Sequence, residues 1–177
     1  MRLTILAILL TTSVIAQEAK YTITTNDGAV YKAKSYNSKV KKFKFTVENG
    51  KEKEISYGEL KSIKFVRKIN RRSKPLDVEL RFVRISERNG ILMRILKEGR
   101  CNLYVHEFNY LHYYVLRDGE QIATPIYLKQ IISNNFKKTA LEYFDDCKEV
   151  TDRIKKKKFW KKNIPEMVEY YNNNCVK

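Results

Sequence analysis

Three cysteines, two histidines and one dense run of lysines are the residues through which this chain could do chemistry. Cys101 keeps the apolar phase of a strand, in step with Leu103 and Val105. A nucleophilic thiol needs a base beside it, and His106 falls on the opposite phase, so Cys101 reads as a small core hydrophobe. His106 and His112, taken with Glu107 and Asp118, match no standard metal-ligand spacing, and no metal site is expected. The sequence has no Gly-rich phosphate loop, no G-x-S-x-G, no H-E-x-x-H and no paired C-x-x-C. No catalytic residue, cofactor-binding residue or cofactor is assigned.

Cys147 and Cys175 form the most informative pair. Cys147 falls in the first turn of one predicted helix and Cys175 at the end of the next. If those helices form an antiparallel hairpin, the two thiols meet at one end. A bridge there closes a loop of about 29 residues, worth roughly 3–4 kcal/mol in the chain-entropy picture. The expectation is a Cys147–Cys175 disulfide with Cys101 free.

Lys155, Lys156, Lys157 and Lys158, followed by Lys161 and Lys162 around Phe159-Trp160, make the sharpest basic patch. Lysines interleaved with aromatics suit a membrane surface or a polyanion. Lysines also gather at helix C-termini because the macrodipole favours them. The sequence leaves both readings of the patch, including Trp160, open. A second aromatic run, Tyr104, Phe108, Tyr110, His112, Tyr113 and Tyr114, could stack bases or sugars, but reads better as cross-strand pairs within a sheet.

These residues need a scaffold, and the first part of it reads as strands. Tyr21 to Thr25 and Val30 to Ser35 flank the turn Asn26-Asp27-Gly28. Phe43, Phe45 and Val47 alternate up to the turn Asn49-Gly50, and Glu54 to Tyr57 leads to Leu60, Ile63 and Phe65. A basic linker, Arg67 to Pro75, ends this unit. Strands around Leu80, Phe82 and Ile85, then Ile91 to Leu96, Cys101 to Val105 and Tyr113 to Leu116, follow with turns at Asn89-Gly90, Glu98-Gly99 and Asp118-Gly119. This is an antiparallel meander with no βαβ alternation. The tail is helical. Phe136, Ala140, Leu141 and Phe144 share a stripe, Asp146 with Glu149 reads as a capping box for a helix facing inward through Val150 and Ile154, and Asn163 with Glu166 reads as another, with Pro165 in the first turn.

Met1 to Ala16 has the form of a cleavable export signal. Arg2 precedes the apolar Leu3 to Leu10, and Val14-Ile15-Ala16 supplies small residues at the exit, placing the mature start at Gln17. The run is too short to span a bilayer, which takes roughly 20 residues, and the mature chain has no integral membrane segment. Removing 16 of the 177 residues leaves 161, enough for one domain or two small lobes. The formal charge is +16, and Arg2 is the only charge removed, leaving about +15. Such an excess attracts polyanions, although a composition rich in Lys, Asn, Ile and Tyr produces it without any specific site. Export argues against nucleic acid and leaves an anionic envelope polymer or a lipid surface as partner. The expected location is periplasmic, outer-envelope-associated or secreted.

The organisation is therefore α+β: signal 1–16, a small barrel-like β lobe 17–72, a β-meander lobe 73–132 and a disulfide-stapled helical segment 133–177. Residues 20 to 67, with their bent hairpin and the return Ser-Tyr-Gly-Glu-Leu-Lys-Ser-Ile, resemble an SH3-like or Sm-like small barrel. The stretches Lys-Glu-Gly-Arg-Cys-Asn-Leu-Tyr-Val, Tyr-Tyr-Val-Leu-Arg-Asp-Gly and the Cys147…Cys175 tail resemble uncharacterised exported proteins of Bacteroidetes-type bacteria, a pattern from which Cys101 departs. That resemblance carries over no activity and no functional residue. The sequence favours a non-enzymatic exported interaction or structural module of the cell envelope. The alternatives are a polyanion- or anionic-lipid-binding protein using the lysine patch and a small hydrolase with an unrecognised site.

Overall fold

The computed structural model describes residues 20–38, 42–68, 70, 72–107, 110–128 and 135–175. The export segment 1–16 and the start at Gln17 lie outside the described residues, as do Arg71 and Phe108. The strands are β1 (Tyr21–Thr25), β2 (Val30–Ser38), β3 (Lys42–Val47), β4 (Glu52–Ser56), β5 (Leu60–Arg67), β6 (Leu76–Arg84), β7 (Gly90–Lys97), β8 (Cys101–Glu107), β9 (Leu111–Arg117) and β10 (Thr124–Leu128). Helices α1 (Phe136–Tyr143), α2 (Lys148–Lys155) and α3 (Ile164–Asn174) follow, with a 3-10 turn Lys161–Asn163 before α3. The ten strands form one sheet in the order β10-β9-β8-β7-β6-β5-β1-β2-β3-β4.

The expected closed barrel over residues 17–72 does not form. Closure requires β4 to hydrogen-bond β5. β5 already carries β1 on one edge and β6 on the other, in register from Ile63↔Leu80 to Arg67↔Leu76. β4 is therefore left as an open edge, blunted by the exposed charges of Glu52, Lys53 and Glu54. The connection 68–75 joins two neighbouring strands, so the β units on either side of Pro75 share one sheet. At the far edge Pro125 sits in β10, an edge strand, the place in a sheet where proline is tolerated.

Side-chain alternation divides the apolar residues between the faces. Ile23, Ala33, Phe43, Phe45, Leu60 and Ile63 form a core on one face of the N-terminal half, with Leu80 and Leu92 packed against it. The same face of the C-terminal half presents Cys101, Leu103, Val115 and Ile126, and the three helices cover it. Val83, Met93, Tyr104 and Ala123 form a third cluster on the opposite face. Val30, the first residue of β2, is 59% exposed.

The helices end where side chains allow. Asn135 Oδ1 accepts from the Lys138 amide at 3.2 Å and caps α1. The capping box expected at Asp146 is absent. Cys147 is the N-cap of α2 with no side-chain cap bond, because the Asp146 carboxylate accepts instead from Arg117 Nη2 at 2.9 Å and Tyr171 Oη at 2.6 Å. Asn163 likewise donates to the Glu166 carboxylate at 3.0 Å rather than capping backbone. Cys147 and Cys175 meet as N-cap of α2 and C-cap of α3, 5.5 Å apart at Cα, and form the expected disulfide.

One glycine fixes how the β4–β5 turn lies on the sheet. A Cβ at Gly90 would come within 2.3 Å of the Phe82 ring. That ring lies over Gly90 because Gly90 leaves the space, and Tyr57 stacks on it at 4.2 Å and 16°. Gly90→Val must displace two stacked rings at once. The expected loss is about 1–3 kcal/mol, read as a lowered melting temperature in a thermal unfolding scan. An unchanged midpoint would mean the stack yields freely.

Candidate anionic-surface interface

The lysine run lies at the turn between α2 and α3, and hydrogen bonds define its shape. Lys156 is the C-cap of α2. The Lys157 amide donates to the Ile154 carbonyl at 3.0 Å and the Lys158 amide to the Arg153 carbonyl at 2.8 Å. This paired pattern is a Schellman closure, whose first residue past the cap is left-handed and usually glycine. Here it is Lys157, with φ of 57°. A lysine in that conformation is less favourable than glycine by about 1 kcal/mol. Lys157→Gly is therefore expected to raise the melting temperature by about 2–4 °C, and a fall would show that the turn does not constrain φ as described.

Lys155, Lys156, Lys157, Lys158 and Lys162 are exposed. Trp160 stands among them 39% exposed, its ring set edge-on against Phe136 at 5.8 Å. Phe159 turns inward, 7% exposed, against Tyr170 at 5.7 Å and under Arg153. Lys161 differs from the others: it is half-buried, with its ammonium 5.1 Å from the centre of the Tyr127 ring. Among the described residues none of these six lysines has an ion-pair partner. The carboxylate closest in sequence, Asp152, bonds Lys148 at 2.6 Å.

Helix-end stabilisation accounts for Arg153 and Lys155, which lie in the last turn of α2. It does not account for Lys157, Lys158 and Lys162, which lie beyond the helix, or for the exposed indole between them. The cluster is a cationic surface without direct ion pairs among the described residues, in which Lys155 and Lys156 feel the field of Asp152, with one partly exposed indole.

The other sequence candidates are dispersed. Cys101 is fully buried, and burial pushes its thiol up to about 12, so at neutral pH it is protonated. The Asn172 amide clamps its backbone, accepting from Cys101 N and donating to Cys101 O, both at 2.9 Å. Around it lies a polar seam of Arg117, Tyr143, Glu120, Asp146 and Tyr171. Tyr143 Oη donates to Glu120 at 2.6 Å, and Arg117 lies over the Tyr143 ring at 4.5 Å. These bonds join the sheet to the helices. His106 faces His112 across β8 and β9, with ring centres 6.4 Å apart. Burial and then the second imidazole hold His106 below its ordinary range. Glu107 points to the other face, paired with Arg94 and Arg67. Among the described residues the one metal-like grouping is Cys147, Glu149 and Cys175, whose sulfurs form the disulfide. The aromatic run does not make one platform either. Tyr104 and Tyr114 are opposite each other on the third-cluster face, Tyr113 packs on the helical side and Tyr110 is exposed.

No protein-family model, curated protein or solved structure matches this chain.

Proposed function

We propose that this protein is a non-enzymatic exported module that attaches peripherally to an anionic lipid surface through the Lys155–Lys162 turn. The observation that carries this reading is the set of exposed, unpaired lysines around a partly exposed tryptophan, one of them held in a left-handed conformation that glycine would occupy more favourably. Lysines near an anionic leaflet gain Coulomb energy, and an indole belongs at the headgroup level. The disulfide supports an oxidising compartment, and the signal-like segment 1–16 supports export. Among the described residues no helix is long and apolar enough to cross a membrane, and the attachment proposed is to the surface.

Against the hydrolase alternative stand the buried, protonated Cys101 and the placement of both histidines away from it. The test is co-sedimentation with vesicles of anionic or zwitterionic lipid. Binding to anionic vesicles alone, lost at high salt, is expected. Retention by heparin without binding to vesicles would favour a soluble anionic polymer and overturn the lipid reading.

A further inference from the structure

A second, separate feature lies on the face between the N-terminal core and the helical layer. Arg67 at the end of β5 and Arg94 in β7 converge on Glu107 at the end of β8. Arg67 Nη2 donates to one carboxylate oxygen at 2.7 Å and Arg94 Nε to the other at 3.0 Å. Burial alone would raise the Glu107 carboxyl, but the Arg94 and Arg67 bonds outweigh it and hold it below its ordinary range. Two cations thus share one anion, leaving a surplus positive charge. Arg67 Nε is buried without a hydrogen-bond partner among the described residues.

This cationic end opens on apolar walls. A cavity of about 260 Å³ reaches from the arginines over Leu80, Leu92 and Val105. A second of about 720 Å³, lined by Tyr57, Phe82 and Leu92 among others, shares Ser38, Leu92 and His106 with the first. Together they make a trough of the size small-molecule sites occupy, roughly 300–1,000 Å³. Planar guanidinium forks recognise carboxylates bidentately. An apolar trough with spare guanidinium donors at one end fits a ligand with an apolar body and an anionic head.

We propose that this trough binds a small amphipathic carboxylate, its head on Arg67 and Arg94 and its apolar body along Leu80, Leu92 and Val105. Glu107 holds the two guanidiniums in place without ligand and competes with the incoming carboxylate. That competition gives a signature which a purely structural triad lacks: removing one charge weakens binding and removing another strengthens it.

The experiment is calorimetric titration of the full mature chain with octanoate, with octanol, acetate and N-acetylphenylalanine as comparisons. Octanoate is expected to bind, with octanol and acetate each at least about 10-fold weaker, since each lacks one half of the ligand. Arg67→Gln is expected to weaken octanoate binding about 10-fold, the scale of one lost charge-assisted hydrogen bond, and Glu107→Gln to tighten it several-fold. Melting temperatures of both variants confirm that folded protein is compared. Preference for N-acetylphenylalanine over octanoate would assign the head to a peptide terminus and still support a carboxylate site. No heat with either carboxylate, or Glu107→Gln weakening binding as Arg67→Gln does, would overturn the proposal. None of these outcomes depends on the lysine turn.

Discussion

Replacing Cys147 and Cys175 together with alanine is expected to remove about 3–4 kcal/mol of stability. The bond spans 28 residues of sequence and ties the start of α2 to the end of α3, so in the unfolded chain it restricts the stretch that carries α2 and α3. For a chain of this size about 1 kcal/mol moves the melting temperature by roughly 2–4 °C, and the midpoint should fall by about 10 °C. Wild type scanned in a thiol reductant should fall to the same midpoint, which separates the loss of the bond from the loss of the side chains. The bond lies beside a load-sharing seam. Asp146, next to Cys147, binds Arg117 and Tyr171, and Asn172, three residues before Cys175, clamps Cys101. A midpoint unchanged by both treatments would mean that this seam alone fixes the helices on the sheet.

Replacing Lys155, Lys156, Lys157 and Lys158 with glutamine is expected to lower partitioning onto anionic vesicles on the order of 100-fold or more, at about 1 kcal/mol per lysine near the surface. The fold should survive, because these side chains are exposed and unpaired. The loss of Lys157 changes no cap bond, since the Schellman bonds use backbone groups. Lys161→Gln should matter less, as that ammonium already lies over Tyr127. Partitioning unaltered by the fourfold change would mean that the net charge acts from the whole surface and this turn is not the interface.

The local parts of the architecture were legible in the sequence. Asn26-Asp27-Gly28, Asn49-Gly50, Asn89-Gly90 and Asp118-Gly119 all mark real turns between strands, because turn chemistry is set within four residues. The places of Cys147 and Cys175 at helix ends were legible for the same reason, while their meeting depended on α2 and α3 packing as a hairpin. The failures are non-local. Whether β5 closes on β4 or accepts β6 is decided by a strand on the far side of the basic linker. The box at Asp146 lost to Arg117 and Tyr171, which lie 29 and 25 residues away. β10 was hidden by Pro125, which reads as a strand breaker unless the strand is known to be an edge. At the interface the lysine run was visible, but its left-handed Lys157 was not, since no glycine marks that helix end. The Arg67–Glu107 pairing spans 40 residues and left no sequence signal.

Trp160 is the chain's one tryptophan and lies within the lysine turn, so its fluorescence reports directly on the proposed attachment. With anionic vesicles at low salt the emission should move to shorter wavelength as the indole enters the headgroup region. The shift should be absent with zwitterionic vesicles and should reverse at about 1 M salt, where screening acts within roughly 3 Å. No shift with anionic vesicles at low salt, or an equal shift with zwitterionic ones, would contradict attachment through this turn.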